Sequence, residues 1–136
     1  MDKAQCQAEM NSTQSDIAAN EAKKAEINAK IARLDAAYNQ VTSIKSNVES
    51  VKQGVKDKDN QEETWKGVEH TWYASFVSDY FGASYSTYYN NLDQYHDAIM
   101  EEKNRLRNQL NETEGVIGWL KSRWNDLSSW WAQLTN

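Results

Sequence analysis

INAKIARLDAAYNQVTSIKSNVESVKQGV, residues 27–55, carries the repeat that decides the fold. Ile27, Leu34, Val41, Val48 and Val55 recur every seven residues. Ile31 and Tyr38 accompany them four residues on, then Ile44 and Val51 three residues on. A helix of 3.6 residues per turn drifts against a seven-residue repeat, and this change of companion is that drift. The pattern predicts a first helix over about residues 13–57, and its periodic stretch of about 40 residues is roughly 60 Å long at 1.5 Å per residue. Upstream, residues 1–16 are polar, and Ser12, Thr13, Ser15 and Asp16 are each able to cap a helix.

Downstream the periodicity stops. Residues 56–63 carry no apolar side chain, and Thr64-Trp65-Lys66-Gly67 follows. Glycine permits a sharp change of direction, and a tryptophan can fold back onto both helices, so residues 58–67 are read as the turn of a hairpin. A second periodic run begins near Val68. Leu92, Ile99, Leu106, Leu120, Leu127 and Leu134 lie on one seven-residue ladder, with Thr113 as its polar rung. Tyr88, Tyr95, Ile117, Trp124 and Trp131 lie beside it. Gly115 and Gly118 are weak points, because glycine within a helix costs about 1 kcal/mol against alanine. The expectation is an all-α fold in a single domain, residues 1–136. It is a long antiparallel two-helix hairpin of coiled-coil type, with helix two over about 68–114 and a hinge and tryptophan-rich helical tail over 115–136.

Composition agrees with a thin helical assembly. The chain has 136 residues, no proline and five glycines, with 26% charged and 39% hydrophobic residues. Much of each helix must therefore stay wet. The net charge of −5 comes without a basic stripe, which argues against a nucleic-acid partner. It also disfavours adsorption to anionic lipid, and Lys121 and Arg123 against Asp126 lend the tail little basic charge for a membrane interface. Cys6 is the sole cysteine, so the fold depends on no internal disulfide. The amino terminus lacks an apolar signal core and no stretch approaches a bilayer span. The expectation is synthesis in the cytoplasm, with any export following a route that needs no cleaved signal.

Two features ask for partners. Ala18, Ala22, Ala25, Ala29, Ala32 and Ala36 repeat at steps of four and three. At 100° per residue they lie opposite Ile27, Ile31, Leu34 and Tyr38. One hairpin partner covers only one of these faces. Alanine is also the best helix former, which accounts for its abundance though not for its regular spacing. The second feature is a length mismatch. A turn at 57–67 sets Ile17 opposite Arg107, and residue 2 opposite Arg123. Trp124, Leu127, Trp130, Trp131 and Leu134 then overhang, with Trp119 and Trp130 on the side away from the leucine ladder. Either the tail folds back as a third helix or it docks on another chain, where tryptophans are common anchors.

The residues of an enzyme are missing. A lone metal site can be drawn from Asp93, His96 and Asp97, but helical residues so spaced form a wet face and no second ligand cluster supports it. Cys6 has no histidine near it in sequence, there is no glycine-rich phosphate loop, and no cofactor is implied.

Two long helices joined at Trp65-Lys66-Gly67 resemble the WXG family of small helical hairpins, exported by type VII (ESX-like) secretion systems of Gram-positive bacteria. Residues Trp65 through Leu120 are similar to one subgroup, the small α-helical proteins associated with LXG toxins. These share a tryptophan-x-glycine turn and an aromatic second helix of the type Tyr88-Tyr89-x-x-Leu92-Asp93. The resemblance implies a non-enzymatic targeting factor or chaperone. Such a protein binds the helical LXG domain of a toxin together with a second small helical protein, for recognition by the secretion machinery. It further implies a secretion signal of an aromatic residue, three residues, then an acid, which Tyr89 and Asp93 match. Partner contacts are expected on Ala18, Ala22, Ala25, Ala29 and Ala32 and on Trp119, Trp124, Trp130 and Trp131. The rival reading is a self-associating structural coiled coil.

Overall fold

In the computed structural model, residues 1–59 and 81–136 are described. They form two helices, α1 (Lys3–Asp59) and α2 (Gly82–Thr135), which pack against each other as an all-α antiparallel pair. The turn residues Trp65 and Gly67, with the start of the second periodic run, lie outside the described residues. The helices contribute to two compact units. Unit 1 comprises Met1–Arg33 with Glu102–Asn136, and unit 2 comprises Leu34–Glu101.

α1 starts ten residues before its expected beginning. The cause is a reciprocal cap at Asp2-x-x-Gln5. Asp2 Oδ1 accepts a hydrogen bond from the Gln5 backbone N–H at 2.8 Å, and Gln5 Oε1 accepts one from the Asp2 N–H at 3.1 Å. Two backbone donors that the first helical turn leaves without partners are thereby satisfied. The first helical hydrogen bond, Cys6 N–H to the Asp2 carbonyl, is 2.9 Å. Ser12, Thr13, Ser15 and Asp16, the candidate caps, all lie inside α1.

In unit 1 the contacts run in opposite directions along the chain, from Lys3 on Trp131 through Cys6 on Leu127 and Glu9 on Arg123 to Lys24 on Glu114. Glu9 thus occupies the place opposite Arg123 that the expected turn gave to residue 2, seven residues further along α1. This register removes the expected overhang. Leu127 and Cys6 are both 0% exposed, and with Met10 they form a core against which Trp124 and Trp131 pack. The Cys6 thiol donates to the Leu127 carbonyl at 3.4 Å. The polar amino-terminal stretch thus supplies a core element.

The seven-residue ladders account for the rest of unit 1. Leu106, Leu120 and Leu127 are buried on α2, and Thr113 is buried with them. Thr113 Oγ1 donates to the Gln109 carbonyl at 2.8 Å, which satisfies its hydroxyl within the helix. On α1 the ladder continues back from Ile27 through Asn20 and Thr13 to Cys6, and Ile27, Thr13 and Cys6 are buried. Ile117 and Met10 complete the apolar layer.

Unit 2 is paired differently. Among its described residues Leu92 is the buried ladder residue, while Leu34, Val41, Val48 and Ile99 are half-buried. Tyr38 packs on His96 with ring centroids 4.5 Å apart, and Lys45 forms an ion pair with Asp93. Tyr89 donates from its hydroxyl to Glu49 at 2.8 Å. The pairing is antiparallel here too.

α2 passes without a break through Gly115 and Gly118, where the sequence placed a hinge. A Cβ added at either glycine would meet no atom within 4 Å. Gly115→Ala and Gly118→Ala are each expected to stabilise the protein by about 0.5–1 kcal/mol, since the helix is kept and the unfolded chain loses freedom. Leu127→Ala is expected to destabilise by about 2–5 kcal/mol through the cavity it leaves. Urea unfolding followed by far-UV circular dichroism checks all three, and a loss of stability in either glycine variant would point to a functional bend.

Candidate functional site

The described residues present surfaces rather than an enclosed reaction centre, and the residues singled out in the sequence fall into three groups. The first is the alanine face. Ala18, Ala22, Ala25, Ala29 and Ala32 are exposed in unit 1, on the side of α1 turned away from Ile27. Ala36 is exposed in unit 2. The spacing extends to the start of the helix, where Ala4, Ala8, Asn11 and Ser15 continue the steps of four and three and are also exposed. That extension lies in the stretch the sequence reading set aside as polar. Small side chains in this arrangement let a second helix approach closely, because no large group holds its backbone away.

The second group is the tryptophan tail, which the structure divides. Trp124 and Trp131 pack against the Cys6–Met10–Leu127 core, and Lys3 Nζ lies 5.3 Å from the Trp131 ring centroid. Their first role is to close unit 1. Trp119 and Trp130 remain exposed, at 66% and 41%, and Val116 and Leu134 are exposed with them. These four residues share one side of α2, because eleven residues make three helical turns to within about 20°. Arg123 lies on the same side, its guanidinium 5.5 Å from the Trp130 ring centroid and paired with Glu9 at 2.6 Å. Large apolar groups rimmed by charge in this way are typical of protein-binding surfaces. At the end of the same unit a recess of about 260 Å³ is lined by Met1, Trp130, Gln133 and Leu134.

The third group is Tyr89 and Asp93. Both are engaged by α1 rather than displayed freely. Lys45 is ion-paired with Asp93, and its Nζ lies 5.0 Å from the Tyr89 ring centroid. Glu49 takes the Tyr89 hydroxyl hydrogen bond. The array continues through Tyr85, stacked 5.6 Å from Tyr89, to Lys52, whose Nζ is 4.5 Å from the Tyr85 ring centroid. The hydrogen bond to Glu49 is the main cause that pushes the Tyr89 phenol above its ordinary 10.0. The hydrogen bond to Asp93 likewise raises Lys45 above its ordinary 10.5. The lysine and glutamate that grip the motif were not singled out in the sequence. They stand four residues apart on α1, as Tyr89 and Asp93 do on α2, and that matched spacing is the signal that was available.

Asp93 is taken up by Lys45, while His96 keeps Tyr38 on one side and Asp97, 3.7 Å from Nδ1, on the other. Among the described residues no group of three histidine, cysteine or acidic side chains is arranged to hold a metal ion. Among the same residues no helix is long and apolar enough to cross a membrane.

A family model described as YwqH-like matches residues 2–129. No curated protein and no solved structure matches the chain.

Both Tyr89 and Lys45 bind their protons more tightly in the folded state than in the unfolded chain. Their contribution to pairing is therefore complete below about pH 10 and is lost as pH rises through the raised values. Glu49→Gln is expected to bring the Tyr89 ionisation down towards its ordinary value. An NMR titration of the tyrosine rings, assigned against Tyr89→Phe, checks this, and an unchanged midpoint would show that Glu49 does not govern the phenol.

Proposed function

We propose, from the premise that the chain belongs to the YwqH-like family, that it is a non-enzymatic targeting factor that binds the helical LXG domain of a type VII-secreted toxin. The family is a Gram-positive one associated with LXG proteins, and its match over residues 2–129 is the observation that carries the reading. A second small α-helical protein joins the complex, and the secretion machinery receives it. In this reading the protein meets its cargo in the cytoplasm, and type VII secretion is the route of any export.

The surfaces support this reading. A helix with an apolar face buried in its own hairpin and a small-residue face left exposed is suited to a bundle of more than two helices. The alanine face admits a partner helix at short distance, and the Val116–Trp119–Trp130–Leu134 side of α2 supplies the large anchors. Trp124 and Trp131 contribute indirectly, by holding α2 against the start of α1. Tyr89 and Asp93, as a secretion signal, act from within the Lys45–Glu49 grip, so recognition takes place with the hairpin paired. The same alanine face also suits a second copy of the chain, which is the self-associating alternative.

Size-exclusion chromatography with light scattering, on the protein alone and mixed with the LXG domain of a neighbouring toxin gene, separates the two. A defined mixed complex is expected, with loss of about tenfold or more in affinity for Trp119→Ala and for Ala25→Arg, as befits an interface anchor and a close helix approach. The circular dichroism spectra of both variants are expected to be unchanged, since both positions are exposed. A tight homodimer indifferent to the LXG domain would overturn the targeting-factor reading.

A further inference from the structure

The two units are held by different chemistry. In unit 1 the helices meet through a buried apolar layer that includes Cys6, Met10, Leu106, Leu120 and Leu127. In unit 2, among the described residues, Leu92 alone is an apolar side chain buried to that degree. Its neighbouring ladder residues Val41, Val48 and Ile99 are half-buried, and Ile44 and Val51 are exposed. A groove of about 360 Å³ lies between the aliphatic groups of α1 and the rings of Phe81, Tyr85 and Tyr88 on α2.

Between these described segments the helices are also tied by charges and rings. Lys45 is the centre, ion-paired with Asp93 and placed over Tyr89, whose hydroxyl is bound by Glu49. Lys52 over Tyr85 and Tyr38 on His96 add contacts of the same kind. Solvent-accessible ion pairs stabilise little and weaken with salt, whereas buried apolar side chains stabilise more and are insensitive to screening.

We propose that the described segments of unit 2, residues 34–55 of α1 and 82–101 of α2, form a local opening unit latched by Lys45: they separate while the segments of unit 1 stay paired. Regions with few buried apolar groups open at a free energy below that of global unfolding. Once apart, each segment lacks the packing that sustains a helix in water, so its amides exchange with solvent. The inference rests on burial and contacts and does not depend on the targeting-factor reading.

Amide hydrogen exchange by mass spectrometry on the full chain tests it. Peptides from residues 38–52 and 85–99 are expected to exchange at least about tenfold faster than those from 17–31 and 106–120, a difference of about 1.4 kcal/mol in opening free energy. Lys45→Met, which keeps the aliphatic stem, is expected to speed exchange several-fold in unit 2 alone, with Lys45→Arg restoring protection. Raising salt from about 0.1 M to about 1 M, where the Debye length falls from about 10 Å to about 3 Å, is expected to act in the same direction. Equal protection of the two units would overturn the local opening. Acceleration of both units together, or no response of unit 2 to Lys45→Met and salt, would overturn the latch.

Discussion

The burial of Leu127 under Cys6 and Met10 is the contact on which unit 1 depends. A tail that carries Trp124, Leu127 and Trp131 on one side needs an apolar cover, because leaving those groups in water forfeits several kcal/mol. The first turns of α1 supply that cover, and they do so only because the Asp2–Gln5 cap starts the helix early enough. Register follows from the same contact. With Cys6 on Leu127 and Glu9 on Arg123, Thr13 and Ile27 fall into the buried layer and the alanines fall outside it. The exposed small-residue face is thus a consequence of which residues the core claims first.

That division of α1 into a committed face and a free one frames the functional reading. A helix pair whose apolar groups were all consumed internally would have no physical reason to recruit other helices. Here the four tryptophans of the tail are split, two into the core and two onto the surface, so one part of α2 both closes unit 1 and leaves large rings exposed. The acidic balance and the absence of a basic stripe fit helices as partners better than nucleic acid. Among the described residues of unit 2 fewer apolar side chains are buried, and the Lys45–Glu49–Tyr89–Asp93 array adds charge and hydrogen bonding between the helices.

Much of this was legible in the sequence. Leu92, Leu106, Leu120 and Leu127 declared one ladder, Ile27 and its successors the other, and a chain without proline could follow both through long helices. The amino terminus was not legible for a definite reason. The ladder of α1 continues back from Ile27 through Asn20, Thr13 and Cys6, and two polar rungs and a thiol hide a repeat from any reading based on hydrophobicity. Thr13 is nevertheless buried, as Thr113 is on α2. The Asp2-x-x-Gln5 cap is a weak signal in the sequence, because serines and threonines further on offer competing starts. The expected overhang followed from the register that a turn at 57–67 imposes: it sets Arg123 opposite residue 2 rather than Glu9, so the tail beyond is left without a cover and a bend at Gly115 and Gly118 looks necessary. Inter-helix partners such as Lys45 for Asp93 depend on register, which the periodicity of either helix alone does not fix.

The most direct test is a set of isotope-filtered NOE spectra on the methyl groups of Met10 and Leu127, recorded on uniformly labelled protein and on a mixture of labelled and unlabelled chains. The account predicts a strong Met10–Leu127 contact in the uniform sample and none between chains in the mixture. Its absence from the first, or its appearance in the second, would mean that the tail is not covered by the start of its own chain, and the register on which the surfaces depend would fall with it.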